Sequence, residues 1–113
     1  MKQLSTLNGK LPIRYGWGAL SDIADSIDKS LDDIIGDFDP KALKPREFTQ
    51  FVFFGVKDGC EEDGKEFPFK SLKDVEKIIN EKGLRLVIQE TLAAFQESPF
   101  LINSKEEEED KKK

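Results

Sequence analysis

The chain has 113 residues, of which 37% are hydrophobic and 36% are charged, and its formal net charge is −5. This length predicts one domain, and the acidic charge argues against nucleic acid or an anionic membrane surface as a partner, since both require a basic face. No apolar run approaches the roughly 20 residues that span a bilayer, and the N-terminal segment lacks the apolar centre of a signal peptide. The single cysteine cannot form an internal disulfide. A cytoplasmic protein is therefore expected.

The first elements predicted are two short strands joined by a tight turn. Asn8-Gly9 favours a two-residue hairpin loop, because both residues tolerate a positive φ. The loop lies between two extended segments, 4–7 and 11–15. Proline cannot donate a hydrogen bond to a β ladder, so Pro12 indicates that the second strand is short or lies at a sheet edge. Alternation in this strand places three apolar side chains on one face: Leu11, Ile13 and Tyr15.

Helical structure is predicted from residue 19 to residue 38, because apolar side chains recur there every three or four positions. Ser30 and Asp33 have the spacing of a capping box. We therefore predict two helices, 19–28 and 31–36, joined by a kink, with a single bent helix as the alternative. The opposite face carries five aspartates: Asp22, Asp25, Asp28, Asp32 and Asp33.

An aromatic segment follows the turn at Asp39-Pro40. Pro45 suits the first turn of a new helix, and segment 46–57 is apolar around most of its circumference. This pattern predicts a helix that is buried or has a second buried face at a subunit contact. A strand is the alternative for the four residues 51–54.

The remaining elements are an exposed acidic loop over 58–66, a short extended piece over 67–69 and two helices. Ser71, with Asp74 at the capping-box position, begins the first of these helices, and Gly83 ends it in the left-handed conformation. The last helix is predicted over 84–97, before Pro99. Its inward side chains are predicted to be Leu84, Ile88, Leu92 and Phe95.

The predicted fold is α+β and mainly α, with a short N-terminal β-hairpin packed on four or five helices and a disordered, charged C-terminal tail. A single α-rich domain spans 1–103, and the tail spans 104–113, where the low-complexity sequence has almost nothing to bury. The predicted core consists of Ile13, Leu20, Ile23, Ile27, Ile34, Phe48, Phe51, Val52, Val75, Ile78, Ile79, Leu84, Ile88, Leu92 and Phe95.

Little in the sequence favours catalysis. The chain has no histidine, which removes the commonest general base and zinc ligand. Acidic neighbours disfavour a thiolate at Cys60, which we interpret as a plain loop cysteine. The acidic loop fails the EF-hand pattern in both possible registers, and the paired carboxylates fit solvating charge. We therefore predict no catalytic residue, no metal and no cofactor, and a carboxylate-based metal enzyme is the least supported hypothesis.

Protein binding has more support, because phenylalanine occurs nine times. Most of these side chains are expected to build the core, but several residues fall off the inward helical stripes or follow the last helix. Aromatic residues are enriched at protein interfaces. The candidate partner-binding residues are Phe53, Phe54, Phe67, Phe69, Phe100, Leu101 and Ile102.

Two stretches carry a resemblance to a known family: NGKLPIRYGWGAL at 8–20, followed by the acidic helical segment, and FTQFVFFGVKDG at 48–59. Across about residues 5–97 the chain resembles the small tail assembly chaperones of long-tailed, siphovirus-type bacteriophages and prophages. Tyr15 and Trp17 match the hairpin-to-helix motif of that family, and we expect them to hold the helix onto the hairpin.

The resemblance implies a non-enzymatic protein that binds the tape measure protein and recruits major tail tube subunits during tail assembly. Such a protein works in the bacterial cytoplasm and is absent from the mature virion, and self-association is a further expectation. The family often makes a longer form by ribosomal frameshifting. The three lysines at 111–113 are compatible with an A-rich slippery sequence in the gene. The alternative function is a small acidic interaction or regulatory module encoded by the host.

Overall fold

The computed structural model describes residues 1–30, 33–34 and 39–101. The charged tail predicted for 104–113, the candidate residue Ile102 and most of the predicted helix 31–36 lie outside the described residues. Within them, the architecture is the predicted mainly helical α+β fold, in which a two-stranded antiparallel hairpin packs against helices.

The hairpin consists of β1 (Lys2–Thr6) and β2 (Gly9–Ile13), with Leu4 paired to Leu11. The prediction that Asn8-Gly9 forms the loop is wrong by one residue, because the ladder extends to the pair Thr6 and Gly9. Pairing Leu4 with Leu11 sets this register, since both side chains then point towards the core, where Leu4 is fully buried. Gly9 supplies the positive φ of 127° that follows the turn.

Helix α1 spans Trp17–Ile27 and begins two residues before the predicted start. It ends at Asp28, which takes the left-handed conformation with φ of 53°. Ser30 and Asp33 then make the two reciprocal hydrogen bonds of a capping box, at 3.2 and 3.3 Å. The break and the new cap confirm that one helix ends before the next helical segment begins, as the two-helix prediction required.

Helix α2 spans Pro45–Asp63 with proline in its first turn, so 51–54 is helical and not a strand. The helix extends six residues beyond its predicted end, so the acidic loop prediction for 58–66 is wrong for residues 58–63. Gly59 and Cys60 are buried against the rest of the fold, while Glu61 and Glu62 on the opposite side face solvent. An amphipathic turn thus continues the helix until Gly64, whose φ is 69°.

Helix α3 spans Leu72–Lys82, and the predicted capping box of Ser71 and Asp74 is present. Helix α4 spans Leu84–Gln96. Gly83 ends α3 after Lys82 as predicted, but with φ of 91° and ψ of 142° its conformation is not the predicted left-handed one. Its positive φ with an extended ψ redirects the chain between two helices that are one residue apart.

The buried face of α4 differs from the predicted one. Leu84 is 54% exposed, and Ile88 and Leu92 are only half-buried. The residues that face inward are Val87, Thr91, Ala94 and Phe95. The helix is turned in this way because it lies beside β1, where small side chains allow close approach and Glu90 bonds to Ser5.

Among the described residues, one hydrophobic core joins the hairpin to helices α1 to α4 and to Ile34. Most of the predicted core is confirmed, Ile79 is half-buried, and Leu84 is the one exposed member. Tyr15, which we expected to hold the helix onto the hairpin, is itself a core residue. Other core residues that the sequence did not indicate are Leu4, Ala19, Val56, Cys60, Phe69, Val87 and Ala94.

The hairpin is attached to α2 by backbone contacts. The N–H of Arg14, just after β2, donates to the carbonyl of Gly55 at 3.0 Å. A Cβ atom on Gly59 would lie 2.5 Å from the backbone of Pro12, so only glycine permits this approach. Among the helices of the described residues, none is both long and apolar enough to cross a membrane.

Candidate functional site

Four of the predicted partner-binding residues meet on the outer side of α2. The ring of Phe53 lies 5.5 Å from that of Phe54, 5.1 Å from that of Phe67 and 6.1 Å from that of Phe69. We name these four residues the phenylalanine cluster. The chain after α2 folds back to bring Phe67 and Phe69 onto the helix, so much of this aromatic surface is used internally.

Burial within the phenylalanine cluster is graded. Phe69 is 8% exposed and belongs to the core, whereas Phe53, Phe54 and Phe67 are half-buried. The contacts of Phe53 with Phe54 and Phe67 are edge-to-face, the geometry that aromatic rings favour. The cluster is therefore a covering layer over α2 with a partly open outer surface.

Phe100 and Leu101 lie elsewhere, in a helical turn after α4. The ring of Phe100 contacts Phe95 at 6.5 Å and Trp17 at 5.8 Å, and both contacts are edge-to-face. Phe100 and Leu101 are half-buried. The predicted set is thus split between two surfaces, one on α2 and one beside the start of α1.

Tyr15 and Trp17 have opposite environments, although one motif suggested both as anchors. Tyr15 is fully buried, its ring stacks on Phe51 at 4.4 Å, and its hydroxyl donates to the carbonyl of Phe51 at 3.0 Å. Burial raises the pKa of the Tyr15 phenol well above its usual value. Trp17 is 58% exposed, so the prediction that it fixes the helix onto the hairpin is wrong.

A groove that the sequence did not predict lies between the hairpin tip and α3, and we name it the hairpin groove. Its volume is about 340 Å³. Leu7 and Leu11 from the hairpin, Ile78 from α3 and Phe69 from the preceding segment are its apolar lining residues. Leu7 is 65% exposed, the highest value among the large hydrophobic residues exposed in the described part of the chain.

Charged side chains line the groove beside these apolar residues. Lys10 lies on the hairpin side, while Asp74, Lys77 and Glu81 project from α3. The spacing of three and four residues places these three on one face of the helix. Asp74 is engaged in the helix cap, where its carboxylate accepts hydrogen bonds from the N–H groups of Lys70 and Ser71. These bonds lower its pKa, with nearby lysines as weaker contributors.

Sequence reasoning missed the groove because its parts come from three separate segments. Periodicity identified Ile78 as a core residue and Phe69 as an aromatic candidate. It said nothing of their position beside Leu7. The sequence did offer one indication of the groove, which is Leu7 directly before Asn8-Gly9. An apolar side chain at a hairpin tip has no strand face on which to be buried.

A polar junction connects the hairpin to α2. One carboxylate oxygen of Asp58 accepts the N–H of Gly16 at 2.7 Å, and the Arg14 guanidinium lies 3.3 Å from the same carboxylate. Both ion-pair partners are partly buried. The junction holds the turn from β2 into α1, which is a structural role.

The remaining reactive group is the thiol of Cys60, which is buried in α2 and does not lie in a loop as predicted. Burial is the main factor that raises its pKa, with Asp63 adding to the effect and Lys65 opposing it. The thiol therefore stays protonated at neutral pH, although burial matters more than the acidic neighbours we had held responsible. Within the described residues, no group of three or more metal-ligating side chains is present.

Comparison with protein-family models, with curated proteins and with solved structures gives no match to this chain.

Proposed function

We propose that this protein is a non-enzymatic tail assembly chaperone of a bacteriophage or prophage. It binds the tape measure protein and recruits tail tube subunits in the bacterial cytoplasm, and it is not part of the mature virion. The resemblance of segments 8–20 and 48–59 to that family is the source of this proposal. The features of the structure described below are compatible with it and provide a surface on which it can be tested.

The hairpin groove is the feature of the structure that best supports the proposal. A chaperone of a long helical protein needs an accessible apolar surface that tolerates water while it is empty. Leu7, which is exposed, and Leu11, which is half-buried, provide such a surface beside the buried Ile78, and charged groups lie next to them. Leu7 is 65% exposed, so it is accessible to a partner that enters the groove.

The acidic face of α1 supports the same function. Asp22, Asp25 and Asp28 are exposed, and all three lie on the solvent side of α1 or at its end. Negative charge on this side would keep a complex with an aggregation-prone partner in solution. It would also attract lysine-rich segments of that partner.

The test is a pull-down with the full chain as bait, from an induced lysogen or from an expressed cassette of neighbouring genes, read by mass spectrometry. Recovery of the tape measure protein, with or without the tail tube subunit, would support the proposal. Recovery of host proteins alone, from a lysate that demonstrably contains the tail proteins, would contradict it. That result would favour the host-encoded interaction module instead.

The gene itself offers a second test. A tail tube gene upstream and a very long tape measure gene downstream would support the proposal. The codons for lysines 111–113 should then contain a slippery heptamer that produces the longer form. A neighbourhood without tail genes would contradict the proposal independently of any binding experiment.

A further inference from the structure

We propose that the hairpin groove binds one amphipathic α-helix of the partner, with an acidic residue of that helix seated between Lys10 and Lys77. On the function proposed above, this helix is a segment of the tape measure protein, so the inference rests on that function. The contacts at the hairpin edges favour a helix as the occupant, and the residues that line the groove indicate which charges that helix carries.

Both hairpin edges are partly covered by the rest of the fold, which disfavours a partner that binds as an added strand. On the outer side of β2, the Arg14 N–H already donates to Gly55, and α2 lies directly against Pro12. On the outer side of β1, the Ser5 N–H donates to the carboxylate of Glu90 at 2.9 Å. The same carboxylate accepts the Ser5 hydroxyl at 2.7 Å. These contacts favour an occupant that is recognised by its side chains, as a helix in a groove is.

The apolar lining suits one face of a helix. Leu7, which is exposed, and Leu11, which is half-buried, line the hairpin side, and Ile78, which is 7% exposed, lines the side of α3. Asp74 and Glu81 are seven residues apart on α3, which corresponds to about 10.5 Å along the helix axis. This length matches about two turns of a helix lying along α3, enough to seat apolar residues spaced three and four apart.

The charges beside the groove define the sequence of the occupant. Lys77 lies between Asp74 and Glu81 along α3, and Lys10 approaches from the hairpin side. The two lysines make the middle of the groove positive, while the two carboxylates make its ends negative. A complementary helix carries an acidic residue at its centre and basic residues one turn to either side.

The experiment measures binding of fluorescently labelled synthetic peptides, covering the predicted helices of the tape measure protein, to the full chain. Leu7→Asp should weaken the tightest peptide by about tenfold or more, because a charge replaces the apolar contact. Leu84→Asp is the matched control, since Leu84 is 54% exposed and outside the groove lining, and it should bind as the wild type does. Circular dichroism and melting of both variants establish that the fold is intact.

A charge reversal tests the predicted pairing directly. Lys77→Glu should weaken the same peptide, and replacing the central acidic residue of that peptide by lysine should restore the binding. Loss without restoration would overturn the predicted charge pattern. Equal affinities of the wild type and Leu7→Asp for a peptide that binds would overturn the groove assignment and leave the proposed function standing.

Two other outcomes concern the occupant. If neither the peptides nor the full-length tape measure protein binds, the proposed function fails, and this occupant fails with it. If light scattering shows a dimer that Leu7→Asp dissociates and Leu84→Asp does not, a second copy of this chain occupies the groove. That result would overturn the assignment of a partner helix.

Discussion

Tyr15 connects three parts of the molecule through one side chain. Its ring lies between Phe51 of α2 and Phe95 of α4, at centroid distances of 4.4 and 5.8 Å. Its hydroxyl reaches the backbone of α2 at Phe51, and its own backbone lies just after β2. A residue with these contacts determines how the hairpin is seated on the helices.

The contrast between Tyr15 and Trp17 gives the first prediction. Tyr15→Ala should lower the free energy of unfolding by about 3–5 kcal/mol, as expected for loss of a buried aromatic side chain. Trp17→Ala should cost about 1 kcal/mol, because Trp17 is 58% exposed and makes an edge contact with the ring of Phe100. Urea denaturation of the two variants measures both values, and equal losses would contradict the burial seen here.

Tyr15 also gives a prediction about pH. Since burial raises the pKa of its phenol, the folded chain holds this proton to a higher pH than the unfolded chain does. The stability that Tyr15 contributes is therefore fully present below about pH 10, the unfolded value, and is lost as the pH rises above it. The free energy of unfolding of the wild type should therefore fall more steeply than that of Tyr15→Phe as the pH rises above about 10.

Tyr15→Phe itself should cost about 1 kcal/mol near neutral pH, for the lost hydrogen bond to Phe51. Lysine deprotonation affects both proteins alike, so the difference between them isolates the phenol. Parallel pH profiles for the two proteins would show that Tyr15 becomes accessible to solvent before the chain unfolds.

At the scale of elements, α2 is specialised for close approach to the hairpin. It carries glycine at two positions four residues apart, which lie on one face of the helix. A Cβ atom on Gly55 would lie 2.4 Å from Cζ of Tyr15, and one on Gly59 would meet the backbone of Pro12. The two glycines weaken α2 as an isolated helix and allow the hairpin to dock on it.

Gly55→Ala is therefore expected to destabilise the protein by about 1–3 kcal/mol, since the Tyr15 ring is enclosed and cannot move aside. Gly18→Ala in α1 is the matched control, because nothing lies within 4 Å of a Cβ atom there. That variant should gain about 0.5–1 kcal/mol from the better helix propensity of alanine. Thermal melting of the two variants distinguishes the packing effect at Gly55 from the helix-propensity effect at Gly18. Melting temperatures that shift in the same direction for both variants would contradict the docking geometry.

At the scale of the whole molecule, the first strand and the last helix hold each other in place. Glu90 accepts two hydrogen bonds from Ser5, across a sequence separation of 85 residues. Lys2 of β1 and Glu97, the residue that follows α4, form an exposed ion pair at 2.9 Å. The exposed pair contributes little to stability, so the partly buried bonds of Glu90 are the more important link.

Glu90→Ala should cost about 1–3 kcal/mol, because it leaves the Ser5 N–H without its acceptor. Glu90→Gln is the control, since its amide oxygen can accept from the Ser5 N–H and its amide N–H can donate to the Ser5 hydroxyl. Hydrogen exchange should show faster opening of β1 in the alanine variant alone. Equal exchange in both variants would contradict the role of these hydrogen bonds.

Much of this architecture could be predicted from local patterns. The capping boxes at Ser30 and Ser71, proline at the start of α2 and the apolar stripe of α1 are each properties of a few neighbouring residues. Local hydrogen bonding and periodicity act over one or two turns, so one sequence is enough to read them. The sequence also showed that four phenylalanines lie off the main apolar stripes, namely Phe53, Phe54, Phe67 and Phe69. It did not show that they contact one another.

The sequence by itself determined the mainly helical α+β composition, the hairpin at the N-terminus and most of the core. Only the tertiary structure decided the rotation of α4, the length of α2, the opposite environments of Tyr15 and Trp17, and the hairpin groove. Each of these depends on which distant surface a side chain meets. Val87 is buried and Leu84 is exposed because β1 lies on one side of α4, and nothing within α4 encodes the position of that strand.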